Sequence, residues 1–342
     1  MKIRNFEIDE RRVLSMIVAF GLALCSSVEA KAHGETNSQS ATNTSNISAT
    51  FNNNAFNDSL RNSFIISQTD EKFEDIPYKN NVIRSAGCGP VSIVNALTLA
   101  FNIPSEYANT VLSDVMALDS RYRLVYDYML ERSGNNGVHY LDKVIDGLNG
   151  TIIDGGSSFS KISGTLKSND LRDDDKYFFG TATFNKSTYP DLIDMIQHLY
   201  MAKPDTNIII YNVAAGTLAV ESAFGSLSNS GHYITLLINV KEFVENNRIY
   251  VIDSVAKNLK GETNHRINYN FTEKPNIRGI RKFTEAFDVS RISEQALEVT
   301  GKGKINANTL SLLGIEGGCG VIVCPNNLSK DYEDVITSDK TK

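Results

Sequence analysis

A cysteine set between two glycines and followed by a proline, Gly87-Cys88-Gly89-Pro90, is the feature that most limits what this chain can build. After it, Ile93, Val94, Leu97, Ala100 and Phe101 recur at i, i+1, i+4, i+7 and i+8. That is the spacing of one face of an amphipathic helix, not the alternation of a strand. Pro90 suits a first helical turn, where backbone N–H groups have no intrahelical partner to lose. Pro104 drives Ile103 out of helical geometry and ends the helix. Cys88 then stands at a helix N-terminus, where unpaired N–H groups and the positive end of the helix dipole favour thiolate over thiol. The glycines let the backbone turn sharply and keep the sulfur open. The competing use of such a cysteine is as a small buried apolar residue.

The front of the chain has a different character. Residues 1–12 end in Arg11-Arg12, an apolar run spans Val13 to Leu24, and Ala30-Lys31-Ala32 supplies a small-residue cleavage pattern. These features predict a secretory signal peptide over residues 1–32 and an exported protein, secreted or held in the cell envelope. The apolar run is too short for a membrane span, so no integral span is expected. Cys25 raises a lipid anchor as an alternative, which the bulky Leu24 before it disfavours. Residues 33–62 are rich in Asn, Ser and Thr and predict a disordered spacer. The remainder, 63–342, suits one larger domain, with two possible. A formal net charge of −6 argues against nucleic acid or an anionic membrane as partner.

Export leaves Cys88, Cys319 and Cys324 in the mature chain, too few for a disulfide framework. Cys319 and Cys324 flank Gly320-Val321-Ile322-Val323, a strand pattern that holds them roughly 17 Å apart, beyond disulfide reach. Both are expected in the core. Gly318-Cys319-Gly320 looks like a rival nucleophile, but a β-run follows it and not a helix.

Along the chain, helical spacing covers parts of Ser105–Leu130 and Val138–Leu148, and Gly155–Lys176 is expected to be an exposed loop. Thr188-Tyr189-Pro190-Asp191 predicts a helix start with Thr188 as cap, followed by a buried face of Leu192, Ile193, Ile196, Leu199 and Tyr200. Asn207–Val213 and Tyr233–Ile238 predict strands, Glu245-Asn246-Asn247 a turn, and Arg248–Asp253 a returning strand. His232 opens the first strand of that hairpin and Asp253 closes the second, so antiparallel pairing brings them together. A base and its orienting carboxylate need that geometry. The other four histidines have weaker claims: His33 lies in the spacer, His139 opens a helix, His198 lies on a polar helix face and His265 in a polar loop. There is no Cys-x-x-Cys, His-Glu-x-x-His, phosphate-binding loop or dinucleotide fingerprint, so no metal and no cofactor is expected.

Ser85-Ala86-Gly87-Cys88-Gly89-Pro90-Val91-Ser92 resembles the nucleophile motif of papain-fold cysteine peptidases related to the bacteriocin-leader (double-glycine) peptidases. Gly231-His232-Tyr233-Ile234-Thr235-Leu236 is similar to their histidine motif, and Val251-Ile252-Asp253-Ser254 to their aspartate motif. Ser67-Gln68-Thr69-Asp70, Tyr78 and Ile83 resemble the segment before the cysteine in exported members. The resemblance covers about Phe64–Phe101 and Tyr189–Ser254. It implies an α+β, papain-like fold with the nucleophile helix packed on an antiparallel sheet. It further implies Cys88 as nucleophile, His232 as general base then acid, Asp253 as its orienting group, and Gln68 as candidate oxyanion donor. Transporter-fused members carry the oxyanion glutamine six residues before the cysteine, where this chain has Val82, and Phe73 stands where many exported relatives have tryptophan. An insertion at about 105–188 and the C-terminal tail have no counterpart. The expected substrate is a peptide or protein. The alternatives are a thiol transamidase or amidase, which would use the same apparatus, and a non-catalytic exported binding module on the same scaffold.

Overall fold

The computed structural model describes residues 55–78, 80–103, 105–117, 150–152, 158–168, 177–214, 232–255 and 278–328. The expected signal peptide, the spacer up to residue 54, most of the insertion from 118, and the tail beyond 328 lie outside these residues, as do His33, His139 and His265.

The chain is built on uninterrupted apolar runs such as Ile208-Ile209-Ile210, Leu236-Leu237-Ile238 and Val321-Ile322-Val323. Runs without polar alternation suit strands covered on both faces, and that is the architecture. A two-stranded ladder joins β1 (Pro77–Tyr78) to β2 (Asn81–Val82). The main sheet contains β3 (Gly150–Ile152), β4 (Tyr177–Phe184), β5 (Thr206–Ala214), β6 (Tyr233–Asn239), β7 (Arg248–Asp253), β8 (Phe287–Arg291), β9 (Ala296–Gly301) and β10 (Gly317–Pro325). Their order is β3-β4-β10-β5-β6-β7-β9-β8. The seven strands from β4 to β8 in that order are antiparallel, and β3 lies parallel to β4 at the edge. The class is α+β.

Alternate residues of each strand feed two cores. Ile208, Ile210, Leu236, Val251 and Val321 pack against helices Phe159–Ser168, Tyr189–Ala202 and Val240–Asn246. Ile209, Tyr211, Leu237, Ile252 and Ile322 pack against helices Cys88–Phe101, Ala108–Ala117 and Ala55–Asn62. The Cys88 helix lies across β5 and β6. Its Val91, Ile93, Val94, Leu97, Leu99 and Phe101 are all buried, each worth about 1.5–3 kcal/mol of transfer free energy.

Several expectations need correcting. The Cys88 helix has no solvent face: every residue from Pro90 to Phe101 is buried, because helices and preceding chain cover the side away from the sheet. It ends at Asn102, whose φ of 51° is left-handed, and Ile103 lies outside the helix, as expected of a residue before proline. The spacer ends sooner than expected, since Ala55–Asn62 is a helix with Phe56 and Leu60 buried and Asn57 Nδ2 donating to Glu298 Oε2 at 2.7 Å. Gly155–Lys176, expected to be an exposed loop, contains helix Phe159–Ser168, which buries Phe159, Ile162 and Leu166. Thr188 does not cap its helix; its hydroxyl turns back to the carbonyl of Thr183 at 2.6 Å. Met195 joins the buried face there, while Ile193 and Tyr200 are only partly covered. The β6–β7 connection is the helix Val240–Asn246, capped by Asn239, whose side-chain oxygen accepts from Glu242 N–H at 3.0 Å, and ended by left-handed Asn247. The tail is integral: β8, β9 and β10 belong to the main sheet, and β10 lies between β4 and β5. Cys319 and Cys324 are buried, as expected, and lie on opposite faces of β10. Among the described residues, no helix is long and apolar enough to cross a membrane.

Candidate active site

Cys88 is the first residue of its helix and is half-buried. Gly87 caps the helix through its backbone: its N–H donates to Ile83 C=O at 2.7 Å and its own carbonyl accepts from Val91 N–H at 2.9 Å. A Cβ on Gly87 would stand 2.5 Å from the Ile83 carbonyl oxygen, so glycine is what lets the short helix Ile83–Ala86 run directly into the next one. Gly89 is not constrained in that way, since the nearest atom to a Cβ there is on the Tyr233 ring at 3.8 Å. Of the two flanking glycines, only Gly87 is required by the backbone.

His232 stands just before β6 and Asp253 is the last residue of β7. Ile234 is the register partner of Asp253, which makes His232 its diagonal neighbour, within reach of a long side chain. His232 Nε2 and Asp253 Oδ1 are 2.7 Å apart, with the residues 2% and 0% exposed. The same carboxylate oxygen accepts from Val255 N–H at 2.9 Å, and Asp253 N–H donates to Gln295 C=O at 2.8 Å. Ser254 Oγ donates to the Tyr233 carbonyl at 2.9 Å, tying the two strand ends together. With Nε2 committed to the carboxylate, Nδ1 is the ring nitrogen left over; it is buried and closes no hydrogen bond of ordinary geometry. The Cys88 side chain is close enough to act on the ring. Burial alone would lower the imidazole pKa. The charge and hydrogen bond of Asp253, joined by Cys88, outweigh it and lift the group from 6.5 to about 9.

Gln68 is drawn to the same place. Its N–H donates to the carbonyl of Ser254 at 2.8 Å, and its side-chain Nε2 donates to the carbonyl of Arg84 at 2.7 Å. One amide hydrogen is thereby occupied, while Oε1 is buried without a partner. The chain leading to Gln68 is clamped by Asn95, which accepts from Ile66 N–H at 2.9 Å and donates to Ile66 C=O at 3.0 Å, as a neighbouring strand would. Val82 offers no donor side chain. Phe73 is buried.

Sequence reasoning missed the groups that join helix to sheet. Ser92 Oγ lies 2.8 Å from Thr235 Oγ1 and 3.1 Å from the carbonyl of Ile234. Thr235 Oγ1 donates to Ser92 C=O at 2.9 Å, and Asn212 N–H donates to Ser92 Oγ at 3.1 Å. Asn212, at a φ of 58°, sits in a bulge of β5 where Tyr211 and Asn212 together face Thr235. A polar residue inside the apolar register of each element, Ser92 and Thr235, was the available signal.

His198 is half-buried on helix Tyr189–Ala202, away from this cluster. Among the described residues no group of three or more His, Cys, Asp or Glu side chains could hold a metal ion. What the arrangement can do chemically is generate a thiolate beside an imidazolium whose far nitrogen is pinned to a buried carboxylate. Comparison of the chain with family models, with curated proteins and with solved structures finds no match in any of the three.

Proposed function

We propose that this chain is a cysteine peptidase of papain-like architecture that cleaves peptide bonds through Cys88, His232 and Asp253. One observation carries the reading: a fully buried 2.7 Å His232–Asp253 hydrogen bond that leaves the other imidazole nitrogen for a cysteine at a helix N-terminus. A scaffold that only binds has no need for this arrangement, since a buried charged pair is costly to desolvate and brings little net stability.

The thiolate of Cys88 attacks the scissile carbonyl carbon, forming an S–C bond and an oxyanion. First-turn N–H groups of the Cys88 helix and the remaining amide hydrogen of Gln68 are the candidate donors to that oxyanion. As the oxyanion collapses, the C–N bond breaks and imidazolium His232 gives its proton to the departing amine. Neutral His232 then takes a proton from water, and the hydroxide attacks the thioester. The acid leaves, and the thiolate–imidazolium pair is restored. Asp253 keeps the imidazole in one tautomer and orientation throughout. The signal-type sequence of residues 1–32 supports export of the mature enzyme.

The test is incubation of the purified protein with a mixed peptide library, with products read by mass spectrometry. Cleavage by wild type and Cys319→Ala, and its loss in Cys88→Ala, is the expected result. Products joined to an added amine and not to water would make the chain a transamidase. No product from any peptide, together with a Cys88 that ignores electrophiles, would overturn the enzyme reading.

A further inference from the structure

Ser92 follows Cys88 by one helical turn and so lies on the same face of the helix. Thr235 follows His232 by three residues at the start of β6. The two side chains are 1% and 0% exposed, and they are bonded reciprocally: Thr235 hydroxyl to Ser92 carbonyl at 2.9 Å, and Ser92 hydroxyl beside Thr235 Oγ1 at 2.8 Å. The sheet is locally deformed to complete the set. At the β5 bulge the register steps from Ile210↔Leu236 to Val213↔Ile234, and the Asn212 N–H points at Ser92 Oγ at 3.1 Å. Apolar residues at these positions would glue helix to sheet equally well but would allow it to slide by fractions of an ångström. Directional bonds in a dry interior allow one register only. That register is the one that sets sulfur against imidazole.

We propose that Ser92 and Thr235 are positioning residues that fix the reach from the Cys88 sulfur to the His232 ring, a role that rests on the cysteine-peptidase reading. Neither touches substrate. They act through the alignment of the nucleophile helix on β6, with the Asn212 bulge as the third anchor.

The experiment is the rate of Cys88 alkylation by iodoacetamide against pH in the folded protein, with urea melts of the same samples. Wild type should react well below the ordinary thiol pKa of about 8.5. Ser92→Ala and Thr235→Val should lose on the order of tenfold in rate at pH 6, a smaller loss than the roughly hundredfold that a misplacement of about 1 Å can cause, and their acid limb should move toward that of an ordinary thiol. Thr235→Ser, which keeps the hydroxyl, should retain the wild-type profile. The double variant should shift no further than either single one, because the pair is one device. A core variant of similar stability loss on the other face, Val299→Ala, should leave the profile unmoved. If Ser92→Ala and Thr235→Val lose stability while their profiles superimpose on wild type, the residues are structural only and the proposal is overturned; should Thr235→Val not fold, Ser92→Ala and Thr235→Ser still decide. A wild-type profile already like that of an ordinary thiol would instead overturn the peptidase reading, and the positioning role with it.

Discussion

The tripeptides Gly87-Cys88-Gly89 and Gly318-Cys319-Gly320 are identical in sequence, yet the molecule uses them in opposite ways. In the first, the chain enters a helix, so the cysteine meets first-turn N–H groups and stays half-buried. In the second, the chain enters β10, where ladders with β4 and β5 flank it. Cys319 Sγ donates to the Ala182 carbonyl at 3.4 Å, and burial pushes the thiol up to about 12. Cys324, fully buried on the other face, is pushed higher still. The glycines differ as well. Gly87 makes room for a backbone carbonyl, whereas Gly320 makes room for the ring of Tyr211, which covers the strand where a Cβ would go. The residues after the tripeptide decide between these fates: Pro90 opens a helix, and Val321-Ile322-Val323 continues a strand.

The strongest way to break this comparison is to remove each sulfur. Cys88→Ala and His232→Ala should each lower peptide hydrolysis by on the order of 10⁴–10⁶, as in other catalytic units that act together. Cys319→Ala should keep the rate and lose only about 1–2 kcal/mol of stability in urea melts. A second test uses pH. The folded pKa of His232 lies above its ordinary 6.5, so its stabilising contribution is fully present below pH 6.5 and is lost as pH rises through about 9. The stability gap between wild type and His232→Gln should therefore be flat on the acid side and close between those two values; a gap that widens with pH would contradict the assignment. The glycines give the finest test. Gly320→Ala should cost about 1–3 kcal/mol by overpacking against Tyr211. Gly87→Ala should impair both stability and Cys88 reactivity, and Gly89→Ala should fall within about 0.5 kcal/mol of wild type.

The candidate site was more legible in the sequence than the sheet that carries it. A helix-mouth cysteine follows from glycine, proline and 3.6-residue spacing, all of them local. The approach of His232 to Asp253 follows from their near-symmetric placement about the β6–β7 connection, and it survives although that connection is the helix Val240–Asn246 and not a tight turn. Strand order is not local: nothing in Gly317–Pro325 says that β10 inserts between β4 and β5. Helices Ala55–Asn62 and Phe159–Ser168 escaped because few apolar residues in polar stretches, Phe56 and Leu60 or Phe159, Ile162 and Leu166, suffice once a sheet face receives them. Thr188 shows the reverse, a good cap residue whose hydroxyl a nearby carbonyl claims first. Ser92 and Thr235 were invisible as a pair because only the packing of helix on sheet brings them together.

The most direct measurement is site-resolved alkylation of the native protein at pH 6, followed by mass spectrometry of Cys88, Cys319 and Cys324 in wild type and His232→Ala. The account predicts that Cys88 is labelled orders of magnitude faster than the other two, and that the advantage disappears with the imidazole. Equal slow labelling of all three, or fast labelling of Cys88 that persists without His232, would contradict it.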